Sequence, residues 1–278
     1  MKLSIITINY NNAAGLKKTL DSVASQICTD FEHIIVDGAS TDESVKIIRE
    51  YENTLVSRLS PLASRLKWLS EPDTGIYNAM NKGVRLAKGE YTLMLNSGDC
   101  LVDEHVIEKV LPLLNGTDII QGNTVSIINN EKIINRGYAN SNITFIDVMK
   151  GHFLHQSSFC RKDLFERYGM FDESYRINGD TVFYAKCLAF GNATFRYVDL
   201  SIAFFDTMGI SMDPEGKWSQ LRKEEDERYA QLFSYRMWNL HEYEEKKIKL
   251  YDKLHAHRWS WNLTMMLAHL CNWLYRNR

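Results

Sequence analysis

Apolar residues in this chain come in two alternating rhythms. Leu3-Ser4-Ile5-Ile6-Thr7-Ile8 is a largely apolar run that stops at Asn9-Tyr10-Asn11-Asn12, after which Leu16, Leu20 and Val23 recur at helical spacing. The same order returns at once: a strand from Phe31 to Val36, a polar loop Asp37-Gly38-Ala39-Ser40-Thr41-Asp42 whose Thr41 or Asp42 can cap, and a helix opening on Val45, Ile47 and Ile48. A third strand at Leu66 to Leu69 is followed by Asp73-Thr74-Gly75 and a helix through Ala79, Met80, Val84 and Leu86, which Gly89 is expected to close. Strands alternating with helices in this way predict an α/β fold with a mainly parallel sheet and right-handed crossovers. The loops that leave the strands then share one rim: Thr7 to Asn11, Asp37 to Asp42, Glu71 to Gly75 and Asn96 to Asp99.

The fourth strand, Tyr91 to Leu95, organises the rest. It ends abruptly in Asn96-Ser97-Gly98-Asp99, which places a carboxylate on a short turn just past a strand's carboxyl end. Ligands of open α/β sheets bind at that edge, so Asp99 can hold a divalent cation and its phosphate ligand. Taken alone, an Asp there is more commonly a cap, here for a helix starting near Asp103.

Beyond it the pattern predicts a helix over 101–114 and an antiparallel pair, Asp118 to Val125 with Lys132 to Gly137, turning at Asn129-Asn130. Helices are expected over 143–150, 161–168 and 181–190, and a last long strand over 194–205. After Asp213 strand signals vanish, charges crowd in from Lys223 to Arg228, and the remainder reads as helical, with faces of the kind that are usually solvated. Near the end Leu263, Met266, Leu267, Leu270 and Leu274 form a stripe flanked by Trp259, Trp261 and Trp273 and by lysines and arginines. Two readings stay open for it: a helix docked on a core or a second subunit, or one lying on an anionic membrane.

Composition narrows the function classes. The 278 residues are 45% hydrophobic and 24% charged with a net charge of −2, ordinary for a globular protein and without the basic excess of a nucleic-acid binder. The five cysteines are odd in number and show no Cys-x-x-Cys spacing, which argues against a disulfide framework or a zinc site and for a reducing, cytoplasmic setting. The N-terminus reads as a first strand rather than a signal peptide, and no run approaches the roughly 18 apolar residues that span a bilayer. A dinucleotide oxidoreductase is excluded by local chemistry: Asn9-Tyr10-Asn11-Asn12 stands where Gly-x-Gly-x-x-Gly would be needed, and there is no P-loop. Phosphate charge must then be met by a metal or by side chains.

Ser4 to Asn11, Val36 to Asp42, Glu71 to Gly83, Leu95-Asn96-Ser97-Gly98-Asp99 and His155-Gln156 together resemble, in order, successive blocks of the family 2 glycosyltransferases, which have the GT-A fold. The resemblance covers residues 1–211, with 1–99 as nucleotide-binding half and 100–211 as acceptor half, and leaves 212–278 as a helical extension. It implies an inverting transferase that uses Mn²⁺ or Mg²⁺ to move a sugar from a nucleotide diphosphate, a UDP-sugar favoured, to a hydroxyl of a saccharide acceptor in surface polysaccharide assembly. The favoured acceptor is lipid-linked, and residues 259–278 would hold the enzyme on the inner face of the membrane. By position Thr7, Asn9 and Asp37 would contact the nucleoside and Asp73 the base or ribose, with Asn81, Lys82, Ser97 and His155 close to the donor. Asp99 would be the metal ligand, corresponding to the last acid of the family's Asp-x-Asp motif, although Asn96 and Gly98 stand where many members carry further acids. Asp180, opening a helix after Phe171-Asp172-Glu173, would be the catalytic base; helix capping is a compatible second role. Many members carry a histidine in the loop after the last strand, and here that loop offers Asp206 and Thr207, Asp206 either a metal or diphosphate ligand or a turn residue. His155 is open to a structural role as well, and Tyr10, Trp68 and Trp218 read as packing. Two rivals stay open: a sugar-1-phosphate nucleotidyltransferase, which shares the broad architecture but has a glycine- and arginine-rich first loop that is lacking here, and a non-catalytic sugar-nucleotide or glycan binding module.

Overall fold

The structure is a computed structural model that describes residues 1–128, 131–207 and 216–233, together with 246 and 249. Two compact units divide the chain, Met1–Asp226 and Glu227–Arg278. The expected turn at Asn129-Asn130, residues 208–215 and the Trp-flanked segment 259–278 lie outside the described residues.

The first unit opens with β1 (Leu3–Asn9), α1 (Ala13–Ala24), β2 (Phe31–Asp37), α2 (Ser44–Ser57), β3 (Leu66–Ser70), α3 (Ile76–Leu86) and β4 (Tyr91–Met94). Then follow β5 (Cys100–Leu101), α4 (Val106–Val110), β6 (Ile119–Ile128), β7 (Glu131–Asn135), α5 (Phe145–Met149), β8 (Ser158–Arg161), α6 (Asp163–Arg167), α7 (Gly179–Leu188), β9 (Phe195–Phe204) and α8 (Ser219–Leu232), the last crossing into the second unit. Among the described residues the strands form one sheet in the order β3-β2-β1-β4-β8-β6-β9-β5, with β7 on β6. β3, β2, β1 and β4 are mutually parallel, as their sequence rhythm requires. Every residue of β1, β2 and β4 is buried, which is why these strands read as unbroken runs rather than alternations. Leu3, Ile5, Phe31, Ile35, Leu93 and Phe159 join Leu16, Leu20 and Ile48 of the covering helices in one core.

Beyond β4 the sheet becomes mixed. β8 pairs antiparallel with both β4 and β6, β9 runs parallel to β6, and β7 closes the hairpin foreseen at 118–137. Two local expectations change. The helix read over 101–114 shrinks to α4 and a short 3₁₀ turn, because Cys100–Leu101 is drawn into the sheet against β9. Gly89 does not cap α3, which ends at Leu86; a Cβ at Gly89 would sit 2.6 Å from the backbone of Leu3 and Ser4, so glycine is required where β4 enters beside β1.

Among the described residues of the second unit, the Tyr229 and Phe233 rings meet edge to face at 5.4 Å, and Lys246 and Lys249 are helical and exposed. No helix among the described residues is long and apolar enough to cross a membrane.

Candidate active site

The turn after β4 is shaped by backbone before it bears any chemistry. Gly98 adopts φ 109°, a left-handed conformation that L side chains avoid, and a Cβ there would lie 2.3 Å from Asp206 Oδ2. The Thr19 hydroxyl of α1 sits inside this turn, accepting from Gly98 N at 3.0 Å and donating to the Asp99 carbonyl at 2.7 Å. Asp99 is 3% exposed, and its Oδ1 accepts from the backbone N–H of Asp206, two residues past β9, at 2.9 Å. α4 begins only at Val106, with His105 at its cap position, so the capping alternative for Asp99 falls away. Burial pushes the Asp99 carboxyl up to about 6, and the Asp206 charge pushes the same way.

Asp180 lies in the first turn of α7, directly after the loop that leads in from Phe171. Its Oδ1 accepts from Thr181 N at 2.9 Å and from the Tyr77 hydroxyl at 3.1 Å, and its Oδ2 lies 2.8 Å from His155 Nδ1. On the other side of the ring, His155 Nε2 is 3.2 Å from the Asn96 amide. Burial alone would push Asp180 up and His155 down, but each group's bond and charge outweigh it: the carboxyl ends below its ordinary range and the imidazole above. Both directions favour the charged pair, a carboxylate facing an imidazolium. Asn96 Oδ1 is buried without a partner; with a proton on His155 Nε2, turning the amide over gives that oxygen a donor.

Asn96, His155 and Asp180 thus form a continuous polar chain from the Asp99 turn to α7. Asp99, Asp180, Ser97, Asn12, Asp206 and Arg176 line one cleft of about 950 Å³. Two residues of its lining, Tyr77 and Arg176, are not among the sequence candidates. Tyr77, an unremarked aromatic on α3, is buried with its hydroxyl on Asp180, and the Arg176 guanidinium lies against Gly75 at the cleft wall. The separation of 103 positions between Tyr77 and Asp180 explains why no spacing showed the first.

The nucleoside candidates are placed as follows. Asp37 is fully buried at the end of β2 and takes donors from Asn9 Nδ2 (2.8 Å), Ser40 Oγ (2.6 Å), Ser40 N (3.0 Å) and Ser70 Oγ (2.6 Å), which outweigh burial and hold its carboxyl below the ordinary range. Asn9, committed through its nitrogen, keeps a buried Oδ1 with no partner in the protein. Asp73 accepts from Gly75 N and reaches the Gly38 backbone, beside the Tyr10 ring. Tyr10, read as packing, is 66% exposed there, a flat aromatic face at the strand-exit rim. Trp68 does pack, with its indole N–H toward Glu52 at 3.3 Å, and Trp218 carries Lys217 over its ring.

Three other candidates are engaged elsewhere. Thr7 is wholly buried against His33 Nε2 at 3.0 Å, in a network that continues to the Tyr51 hydroxyl. Asn81 exchanges hydrogen bonds with the Phe171 backbone and donates to Glu173, tying down the segment that leads to Asp180. Lys82 pairs with Glu71 at 2.8 Å and with the Pro72 carbonyl, bracing the loop that carries Asp73.

For a divalent cation the described residues contain no ready-made cluster of three or more His, Cys, Asp or Glu side chains. They do bring two carboxylates, Asp99 and Asp206, together in the cleft, with Asp99 held up by burial and by its neighbour's charge. Hard oxygen donors of this kind, completed by substrate phosphates, suit Mg²⁺ or Mn²⁺, and a dication would relieve the repulsion.

Comparison with known proteins identifies the family and the fold. Residues 4–192 match the family described as glycosyl transferase family 2. The chain is 31% identical over 209 residues to a PGL/p-HBAD biosynthesis glycosyltransferase of Mycobacterium bovis, covering 74% of this chain and 77% of that protein. An uncharacterized glycosyltransferase of Mycobacterium tuberculosis is 28% identical over 80% of this chain and 82% of its own length. Among solved structures, S. aureus TarS 1-349 in complex with UDP-GlcNAc superposes with a TM-score of 0.60 at 20% identity, over 74% of this chain and 58% of that one. The mannosyltransferase PcManGT from Pyrobaculum calidifontis, in complex with GDP-Man and Mn²⁺, gives 0.57 at 18% identity, over 80% and 59%. The curled, mainly parallel sheet flanked by helices is the GT-A fold. With two thirds of its length inside the family match and a polar cleft at the strand-exit edge, the chain belongs to glycosyl transferase family 2.

Proposed function

We propose that this chain is an inverting, metal-dependent hexosyltransferase that moves a sugar from a nucleotide-diphosphate donor, a UDP-sugar favoured, to a hydroxyl of a lipid-linked saccharide in surface polysaccharide biosynthesis. The observation that carries the reading is the junction of Asp99 and Asp180 in one cleft, joined through Asn96 and His155. A donor side chain set on one flank and a buried carboxylate on the other are what a single in-line displacement needs. Structural neighbours bind UDP-GlcNAc and GDP-Man, which supports a nucleotide-sugar donor.

In this reading Asp180 accepts the acceptor hydroxyl's proton as that oxygen attacks the anomeric carbon. A carboxylate has about four lone-pair sites, and Tyr77, Thr181 and His155 occupy three, leaving one for the acceptor. The ion pair with His155 keeps Asp180 ionised, so the base is ready without first losing a proton. His155 keeps the carboxylate's orientation, and Tyr77 fixes its second oxygen. Asp99, with Asp206 beside it, would hold Mn²⁺ or Mg²⁺; such a cation, when bound, supplies neutralisation of the charge growing on the diphosphate. Tyr10, Asn9 and Asp73 would receive the nucleoside, and Ser97 the donor's diphosphate side.

An apolar portion of the acceptor is supported by the hairpin of β6 and β7. Ile128 and Ile134 line the cleft beside the polar Thr124, Ser126 and Asn135, and these two isoleucines together with Ile127 and Ile133 are exposed. Membrane attachment through residues 259–278, on the cytoplasmic face, rests on their sequence. A thermal-shift screen of UDP-, GDP- and dTDP-sugars with Mn²⁺, followed by NMR assignment of the product anomer, tests the function. Release of pyrophosphate, or retention at the anomeric carbon, overturns it.

A further inference from the structure

α8 lies beyond the family match and contains the charge run from Lys223 to Arg228, yet one of its carboxylates is not in solvent. Glu225 is 1% exposed and accepts three consecutive backbone N–H groups: Arg176 at 2.6 Å, Ile177 at 2.9 Å and Asn178 at 2.9 Å. Its neighbour Asp226 accepts from the Asn178 side chain at 2.7 Å. Charge-assisted bonds to backbone amides are short and strong, and three directed at one carboxylate fix a peptide segment in position and tilt. Asn178 caps α7, and its carbonyl accepts the Val182 N–H, so the clamp sets where the helix carrying Asp180 begins. The Ile177 carbonyl, between two clamped amides, takes the Tyr77 hydroxyl at 2.6 Å, and that hydroxyl also touches Asp180 Oδ1. Two routes therefore run from Glu225 to the carboxylate, one along the backbone and one through Tyr77.

We propose that Glu225 is a positioning residue for Asp180, so that a helix outside the catalytic domain's sequence signature completes the base. This rests on the reading of Asp180 as base. Catalytic groups tolerate only about 0.5 Å of misplacement, and a shift near 1 Å can cost ~10²-fold. A buried carboxylate that only fastened α8 would lower thermal stability and leave the proton-transfer step of folded molecules unchanged.

The test is a double-mutant cycle on the full chain, with kcat and donor KM measured well below each variant's melting temperature. Glu225→Ala is expected to lower kcat by ~10²-fold with donor KM within about threefold, and Glu225→Gln, which keeps one acceptor oxygen, to restore part of it. In an Asp180→Asn background the same Glu225→Ala change is expected to cost less than about threefold, because nothing is left to position. If Glu225→Ala does not fold, Glu225→Gln enters the cycle in its place with the same criterion. A loss that multiplies unchanged onto Asp180→Asn, or unaltered kcat in a folded Glu225 variant, overturns the positioning role alone. Full turnover by Asp180→Asn itself overturns both this role and the base assignment.

Discussion

Replacing Asp180 by Asn removes the proposed base while keeping its shape. The Asn oxygen can still accept from Thr181 N and Tyr77, and the amide nitrogen faces His155 Nδ1, which must then serve as acceptor and be neutral. With the carboxylate gone, His155 loses the bond and charge of Asp180 that hold its imidazole up, keeps only the Asp99 charge, and is pushed down by burial, which favours that neutral form. Packing is therefore conserved, and the change falls on chemistry. A positioned general base contributes ~10²–10⁴-fold, equivalent to about 2.7–5.4 kcal/mol of transition-state stabilisation. The expected result is a drop of that size in kcat, read by nucleotide release and by transfer to acceptor, with the donor dissociation constant from calorimetric titration within about threefold of the unaltered chain. Asp180→Ala, which leaves His155 Nδ1 buried without its hydrogen-bond partner, is expected to show the same kcat loss with a lower melting temperature. Turnover within threefold of the parent in Asp180→Asn refutes the assignment. So does a donor affinity that falls in step with kcat, since that marks Asp180 as a donor-binding group.

Three further outcomes follow from other parts of the molecule. Asp99→Asn is expected to abolish the Mn²⁺-dependent part of donor binding and, at pH 7, to raise stability. Its folded value near 6 against an ordinary 3.8 means that the ionised form costs up to roughly 3 kcal/mol above pH 6 and nothing below pH 4; denaturant titration across that range checks the sign. Glu32→Gln breaks a buried carboxylate held by Ser4, Lys67, Lys88 N and Gly89 N at the β1–β4 entry, and is expected to cost about 2–3 kcal/mol, or roughly 4–6 °C in Tm. Burial raises that carboxyl but its donors win and hold it low, so its stabilisation is complete above about pH 4.5 and is lost as pH falls through the folded value; an unchanged acid limb in the variant contradicts this. Ile128→Ser and Ile134→Ser are each expected to weaken the KM preference for an octyl over a methyl glycoside acceptor by about fivefold, from roughly 1 kcal/mol of lost apolar contact; equal KM values for the two acceptors in the parent remove the apolar subsite.

Much of the nucleotide half was legible because buried parallel strands write themselves as unbroken apolar runs. β1, β2 and β4 stand where Ile5, Ile34 and Leu93 put them, and the Asp99 turn follows from Ser97-Gly98. β8 was not legible: its four residues follow a 3₁₀ turn and become a strand only by pairing with β4 and β6. The same holds for Cys100–Leu101, whose strand exists through β9. In the site, Asp99, Asp180 and His155 were readable as residue types in family blocks. Their mutual contacts were not, because Asn96, His155 and Tyr77 reach one another across separations that no local period encodes. Thr7, Asn81 and Lys82 carry polar groups that looked available and instead join internal networks. Glu225 illustrates the opposite difficulty: inside a run of exposed charges nothing distinguishes the one whose partners are backbone amides.

The Thr19 hydroxyl lodged in the turn before Asp99 bears on how donor affinity should be interpreted. Because α1 already bonds both Gly98 N and the Asp99 carbonyl, the folded chain holds that turn before any ligand arrives, and less ordering entropy is left to overcome there. Loosening it through Thr19→Val would then surface as a slower association and a larger unfavourable binding entropy, with every direct donor contact intact.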